Sequence, residues 1–385
     1  MKELSNQKKN IISLIQNVFL GEKPDLIDLN AKKVCDLAKK HSIEYIIYLG
    51  LSNYNIPMDE GFVNHAKVVA AKSVNQTLEL ELIKKVFSSN NINFMPLKGS
   101  ILQKMYPKIE YRNMADIDIL VREEDLKNAG EILKELGYNE AELGGYHDVY
   151  EKPPYMHIEL HRGLIHDLFE IAAYYRNIWD SDHIYHKEGS REYFFTDEDF
   201  YIYHIVHMAK HFGSVGIGFK SLIDTYIYLE KKKEKLNFDY INQELKKNWL
   251  KKFSDIIIDC VDYVFYHIEK DNIDDVITVI DYIFDSGAYG NDRNMVSVGI
   301  ARDGNHRKFI MYKLFPPFRI MKRFYPILEK VPVLLPWFYF TRLLRGLFHF
   351  KTHKKVYDAS KNVTEDDINK TKKIKEITGV ELYDY

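Results

Sequence analysis

Two carboxylates stand one residue apart in an apolar run, Met114-Ala115-Asp116-Ile117-Asp118-Ile119-Leu120-Val121. A third acid interrupts a second run, Met156-His157-Ile158-Glu159-Leu160. Alternate side chains of an extended strand point the same way, so Asp116 and Asp118 share a face. Two carboxylates side by side repel, and withdrawing them from water is costly unless a cation sits between them. A divalent metal is the simplest such cation. Upstream, Leu97-Lys98-Gly99-Ser100 reads as a Gly-Ser turn whose backbone N–H groups and hydroxyl suit phosphate oxygens. Together the three features point to metal-dependent chemistry on a nucleoside triphosphate.

The elements that must position these residues follow from periodicity. Ile92–Leu97 reads as a strand, Ile101–Tyr106 as a short helix and Asp116–Val121 as a buried strand. Glu123–Leu136 is an amphipathic helix closed by Gly137, and residues 145–151 and 155–161 are two strands around Pro153-Pro154. This is a small mixed sheet with helices. Before it, residues 7–90 recur at helical spacing. After it, helices are expected at Phe200–His211, Ser221–Lys232, Phe238–Lys247, Phe253–Ile268 and Asp271–Asp285, with a glycine-rich loop at Gly213–Gly218. Ser286–Asn305 reads as a linker, and much of the charged tail after Tyr357 as mobile. The expected class is α+β, a small mixed-sheet core flanked by N- and C-terminal helical regions. Four regions result: 1–90 helical, 91–195 the core, 196–290 helical, and 291–385 a basic, Pro-punctuated helical region.

Composition bounds the alternatives. The 385 residues carry a net charge of -2, so the whole chain is not a generic nucleic-acid binder. The balance hides an asymmetry: Arg307 to Lys355 holds twelve Lys/Arg and one acid, Glu329, which leaves the remainder near -13. Cys35 and Cys260 make no metal-type pair and no disulfide framework. No apolar signal region opens the chain, and no run of about 18 uncharged apolar residues exists, so a cytoplasmic setting is expected.

A Gly-Ser element, then Asp-x-Asp, then a strand acid resembles the polymerase-beta-like nucleotidyltransferases. More narrowly, residues 65–165 resemble the bacterial "uncharacterised nucleotidyltransferase" family. The matching motifs are Leu97-Lys98-Gly99, Tyr106-Pro107, Arg112, Asp116-Ile117-Asp118-Ile119-Leu120-Val121 and Glu159-Leu160-His161. The helical part with His204, His207, Lys210 and His211 is similar too, as are the elements near Tyr325-Pro326 and Leu335-Pro336. The resemblance implies two-metal phosphoryl chemistry with Mg²⁺, or Mn²⁺, held by Asp116, Asp118 and Glu159. An acceptor oxygen would attack the α-phosphorus of the triphosphate, ATP among the candidates, and pyrophosphate would leave. Gly99 would allow close backbone approach, and Ser100 would bond a phosphate oxygen.

The remaining residues carry competing readings. Lys98 either holds phosphate charge or solvates its turn. Arg112 either meets the triphosphate or anchors the Asp strand through a carboxylate pair. His161 shares a face with Glu159 and either orients that acid, touches substrate or is structural. His204, His207 and His211 line one helix face, as a zinc site, a substrate cleft or core histidines. Lys210, Lys220 and Ser221 flank the glycine-rich loop and are placed to reach the triphosphate. In the basic block, Arg342, Arg345 and His349 share a helix face. It fits an RNA backbone, an anionic membrane or a helical pair packed on the body, and the last is expected because mostly apolar helices are usually buried.

Overall fold

The structure is a computed structural model that describes residues 3–165, 170–348 and 358–381. At its centre lies a five-stranded sheet of order β1-β2-β5-β4-β3. Its strands are β1 (Phe94–Pro96), β2 (Ile117–Val121), β3 (Asn139–Glu142), β4 (His147–Lys152) and β5 (Met156–His161). β2 and β5 pair in parallel, and the other neighbours pair antiparallel. Two strands not expected from periodicity, β6 (Ile184–His186) and β7 (Tyr193–Phe195), form a separate hairpin.

Alternation explains how the sheet is seated. Ile117, Ile119, Val121, Ile158 and Leu160 turn to one face. There they pack on Leu80, Ile83 and Phe87 of the long helix Glu60–Ser89 and on Leu126, Ala129 and Leu133 of the helix Leu126–Glu135. The opposite face carries Asp118 and Glu159. Leu120 on that face, with Met95 and Leu97, joins a larger core built by helices from both ends of the chain, running from Leu4 to Val380. The N-terminal helices are α1 (Asn6–Leu20), α2 (Ala31–Lys40), α3 (Glu44–Asn53) and α4 (Glu60–Ser89); α5 is Lys98–Gln103 and α6 is Leu126–Glu135. Beyond the sheet come α7 (Asp197–Phe212), α8 (Lys220–Lys232), α9 (Phe238–Lys247), α10 (Lys251–Phe265) and α11 (Ile273–Ser286).

Four expectations are corrected. Lys98-Gly99-Ser100 is not a turn but the first turn of α5, with Leu97 as N-cap. The stretch read as a linker holds α12 (Asp292–Asp303), whose Val296 and Ile300 pack against Phe309. The tail read as mobile holds the helix Glu365–Thr378. A capping box at Thr364 starts it, and Lys370 ties it to Asp281 and Asp285 at 3.1 and 2.5 Å. The basic block forms α13 (His306–Leu314), α14 (Phe318–Phe324), α15 (Ile327–Lys330) and α16 (Leu335–Phe348), but apart from Phe309, Pro316, Met321 and Leu328 its described side chains to Leu344 are not buried. His349 and Lys351–Lys355 lie outside the described residues.

Candidate active site

The register of β2 and β5 places Asp118 directly beside Glu159, and Asp116 stands one residue before β2. Carboxylate oxygens of Asp116, Asp118 and Glu159 lie within 4.8 Å of one another. His161, two residues beyond Glu159, brings Nε2 to 3.1 Å from Asp118 Oδ1 and 3.3 Å from Glu159 Oε2. On β4, His147 pairs with His161 and sets its Nδ1 3.4 Å from Glu159 Oε2, and His157 Nε2 is 3.5 Å from Glu159 Oε1. His147, Glu159 and His161 thus make a second compact set of ligand atoms sharing Glu159 with the first.

The charges show what this clustering costs. Burial, reinforced by the negative charges of Asp118 and Glu159, pushes the Asp116 carboxyl up to about 7. Burial works against a proton on His161, yet its hydrogen bonds to Asp118 and Glu159 and their charges prevail and raise it to about 9. The same contacts, against burial, hold Asp118 and Glu159 below the usual carboxylate range. Three oxygen donors that converge while one of them is reluctant to ionise suit a hard divalent cation, which would supply the missing positive charge.

Four lysines face the carboxylates. Lys210 of α7 is lowered by burial and held up by the charges of Asp118 and Glu159. Lys220 of α8 donates to the Asn113 carbonyl at 3.2 Å, and burial together with Arg112 lowers it to about 8. Lys72 of α4 reaches the Ala115 carbonyl at 3.4 Å, and burial lowers it against the pull of Asp116. Lys98 donates to His207 Nδ1 at 3.3 Å, and burial with Arg112 and Lys220 lowers it to about 8. His207 is the acceptor there, since burial and Lys98 keep its ring neutral. His211 lies against His207, with ring centroids 4.6 Å apart and ring planes tilted by 53°. Lys98, His207, Lys210, His211, Lys220 and Ser221 are all part-exposed.

Other candidates turn inward. Ser100 is buried, and its hydroxyl donates to the Leu97 carbonyl at 2.8 Å, so its proton is not presented to a phosphate. Gly99 would tolerate a Cβ at ordinary contact distance from Arg112 and Met114, and its carbonyl accepts from Arg112 Nη1 at 3.0 Å. Arg112 likewise turns inward. Its Nε and Nη2 donate to both oxygens of buried Asp224 at 2.7 and 2.9 Å, which makes it the anchor between the loop before β2 and α8. His204 is fully buried and does not line the cleft. Its Nε2 donates at 2.9 Å to Thr225, whose hydroxyl donates on to the Ser221 carbonyl, and burial with Lys98 holds the ring near 3. His204 Nε2 is turned to Thr225, and among the described residues both ligand clusters of metal-binding spacing lie on the sheet rather than among the three α7 histidines.

Sequence reasoning missed Lys72, His147, His157 and Asp224. Asp224 had a signal of the same kind as Asp118, a lone acid in the apolar run Leu222-Ile223-Asp224-Thr225-Tyr226-Ile227. His147 had none, because only strand pairing brings it to Glu159. Residues 28–266, well over half of the chain, match a family described as "Uncharacterised nucleotidyltransferase". No curated protein and no solved structure matches the chain.

Proposed function

The chain belongs to the uncharacterised nucleotidyltransferase family, and on that premise we propose that it transfers a nucleoside monophosphate from a nucleoside triphosphate to an acceptor hydroxyl, releasing pyrophosphate. The observation that carries this reading is the convergence of Asp116, Asp118 and Glu159 on one sheet face, opposite Lys98, Lys210 and Lys220. We assign the chemistry to the region 91–195 and the triphosphate contacts from across the cleft to 196–290.

Asp116, Asp118 and Glu159 would hold Mg²⁺, or Mn²⁺, and the bound ion would neutralise phosphate charge and acidify the acceptor hydroxyl. Glu159, beside Asp118, would complete the metal site and help accept the hydroxyl proton. Lys210 and Lys220 offer donors where negative charge builds on the leaving pyrophosphate, and Lys98 is aimed by its bond to His207. His161 holds Asp118 and Glu159 in register with each other by bonding both. The acceptor favoured is a small molecule or glycan, because the body outside Arg307–Lys355 is acidic.

The test is label transfer. Protein, Mg²⁺, each α-labelled nucleoside triphosphate and fractionated lysate are incubated beside an Asp118→Asn control. Label moving to one fraction with the intact acid alone supports the reading, and the fraction tells a small molecule or glycan from tRNA or protein. Equal transfer by Asp118→Asn would sink it, and Mg²⁺-dependent nucleotide binding without transfer from any nucleotide would mark a binding module instead.

A further inference from the structure

The C-terminal helices are where the molecule departs from ordinary burial. Among the described residues, twelve of the 23 exposed large apolar side chains fall between Met311 and Leu344, under a tenth of the chain. On α16, Trp337, Phe340 and Leu344 follow at spacings of three and four, so they form one stripe, and they are 59%, 54% and 40% exposed. The helix has an inner side as well. Phe338 stacks on Tyr325 with centroids 4.2 Å apart, and the Tyr339 hydroxyl donates to the Pro316 carbonyl at 2.6 Å. The outward stripe is therefore a consequence of how α16 is fastened to its neighbours. Phe324 on α14 and Val333 before α16 add further apolar surface, at 56% and 80% exposure.

The same segment is basic. Arg307, Lys308, Arg319, Lys330 and Arg342 are interspersed with the apolar residues, and its single acid, Glu329, is paired with Lys322 at 3.3 Å. This mixture discriminates between occupants. The core of a protein–protein interface is depleted in lysine. A nucleic-acid backbone rewards the cations but leaves aliphatic groups such as Val333, Leu343 and Leu344 in water. An anionic bilayer takes both, with apolar and aromatic side chains entering at headgroup level and cations meeting lipid phosphates. No helix among the described residues is long and apolar enough to cross a membrane, so the contact is one of surface docking.

We infer that the segment from α13 to α16 docks on an anionic lipid surface, with Trp337, Phe340 and Leu344 entering the headgroup layer. The inference does not depend on the proposed transfer reaction. The full chain is mixed with vesicles of phosphatidylcholine alone, or with added phosphatidylglycerol, at low and high salt, and pelleted. Binding to the anionic vesicles, weakened by salt and accompanied by a blue shift in Trp337 emission that Trp337→Phe removes, is the expected result. Trp337→Glu combined with Phe340→Glu lowers the partition coefficient by about tenfold or more. Both side chains are exposed, so the melting temperature should hold, and a melt of the variant checks that. Wild-type protein that stays in the supernatant overturns the inference, as does binding unchanged in the double variant. So does a dimer that the two substitutions dissociate without any lipid binding, or RNA binding without lipid binding.

Discussion

Arg112 offers the most direct test of how the site is built. Its guanidinium is spent entirely inside the protein, on Asp224 Oδ1 at 2.7 Å, Asp224 Oδ2 at 2.9 Å and the Gly99 carbonyl at 3.0 Å. The Arg112 and Asp224 side chains are 5% and 2% exposed. Arg112→Ala leaves Asp224 buried with one hydrogen bond, from the Tyr106 hydroxyl at 2.8 Å, and the charges of Lys98 and Lys220 as its remaining support. Removing one member of a buried, well-made ion pair costs about 3–5 kcal/mol, mostly because the other charge is stranded. Spread over the unfolding entropy of a chain of 385 residues, ~4 kcal/mol lowers the melting temperature by roughly 5 °C. Urea titration and calorimetry of Arg112→Ala measure the loss directly. A cycle of Arg112→Met, Asp224→Leu and the double variant isolates the pair. The double variant should be more stable than the sum of the single losses implies, because it strands no charge. If Arg112→Ala costs less than ~1 kcal/mol, or the two single losses simply add, the claim of a buried anchor between α8 and the loop before β2 is wrong.

Other outcomes are expected from the same reasoning. His41 is fully buried as a neutral ring, accepting from the Phe219 N–H at 3.1 Å and facing the Phe284 carbonyl at 3.2 Å. Burial, then Lys40, lowers it from 6.5 to about 3. Below pH 6.5 the unfolded chain therefore binds a proton that the folded chain refuses, so stability present above 6.5 drains away as pH falls toward 3, by ~1.4 kcal/mol per unit at most. Urea midpoints between pH 7 and 5 should fall more steeply for the wild type than for His41→Gln; parallel slopes would contradict this. A Cβ on Gly218 would sit 2.5 Å from the Ala288 Cα and 2.8 Å from its nitrogen. Gly218→Ala should thus cost ~1–3 kcal/mol by forcing backbone apart, and an unchanged melting curve would deny the close approach. Lys210→Ala should lower kcat/KM of nucleotidyl transfer by about 10²-fold with the fold intact. A rate near that of wild type would remove Lys210 from the triphosphate wall.

Much of the fold follows from local pattern. The alternation in Asp116–Val121 and Met156–His161 identifies two strands, and the polar stop at Ser88-Ser89-Asn90-Asn91 ends α4 where the structure ends it. One edge of the sheet is less readable. β3 has four exposed residues, Asn139–Glu142, and so no hydrophobic pattern to announce it. α12 and the helix Glu365–Thr378 read as linker and tail in sequence because each is polar overall. Part of their burial comes from each other: Ser297 and Thr371 meet at 2.7 Å, and Arg293 pairs with Asp367 at 2.7 Å.

For the site, the division is equally physical. A carboxylate in an apolar run is an anomaly that sequence shows by itself, so Asp116, Asp118 and Glu159 stand out without any structure. The sharing of one face by Asp116 and Asp118 follows from strand geometry alone. Which of the surrounding polar groups serve the cleft and which serve the core depends on neighbours from distant parts of the chain. Arg112 and His204 look like ligands on paper, and tertiary packing gives their hydrogen bonds to Asp224 and Thr225. His147 and Lys72 look unremarkable, and strand pairing and helix packing bring them to Glu159 and to the approach to Asp116. Sequence therefore determined that this chain gathers three acids on a small sheet. Only the tertiary structure decided which bases surround them, because a polar group's role is set by the partner that satisfies it, and that partner is rarely local.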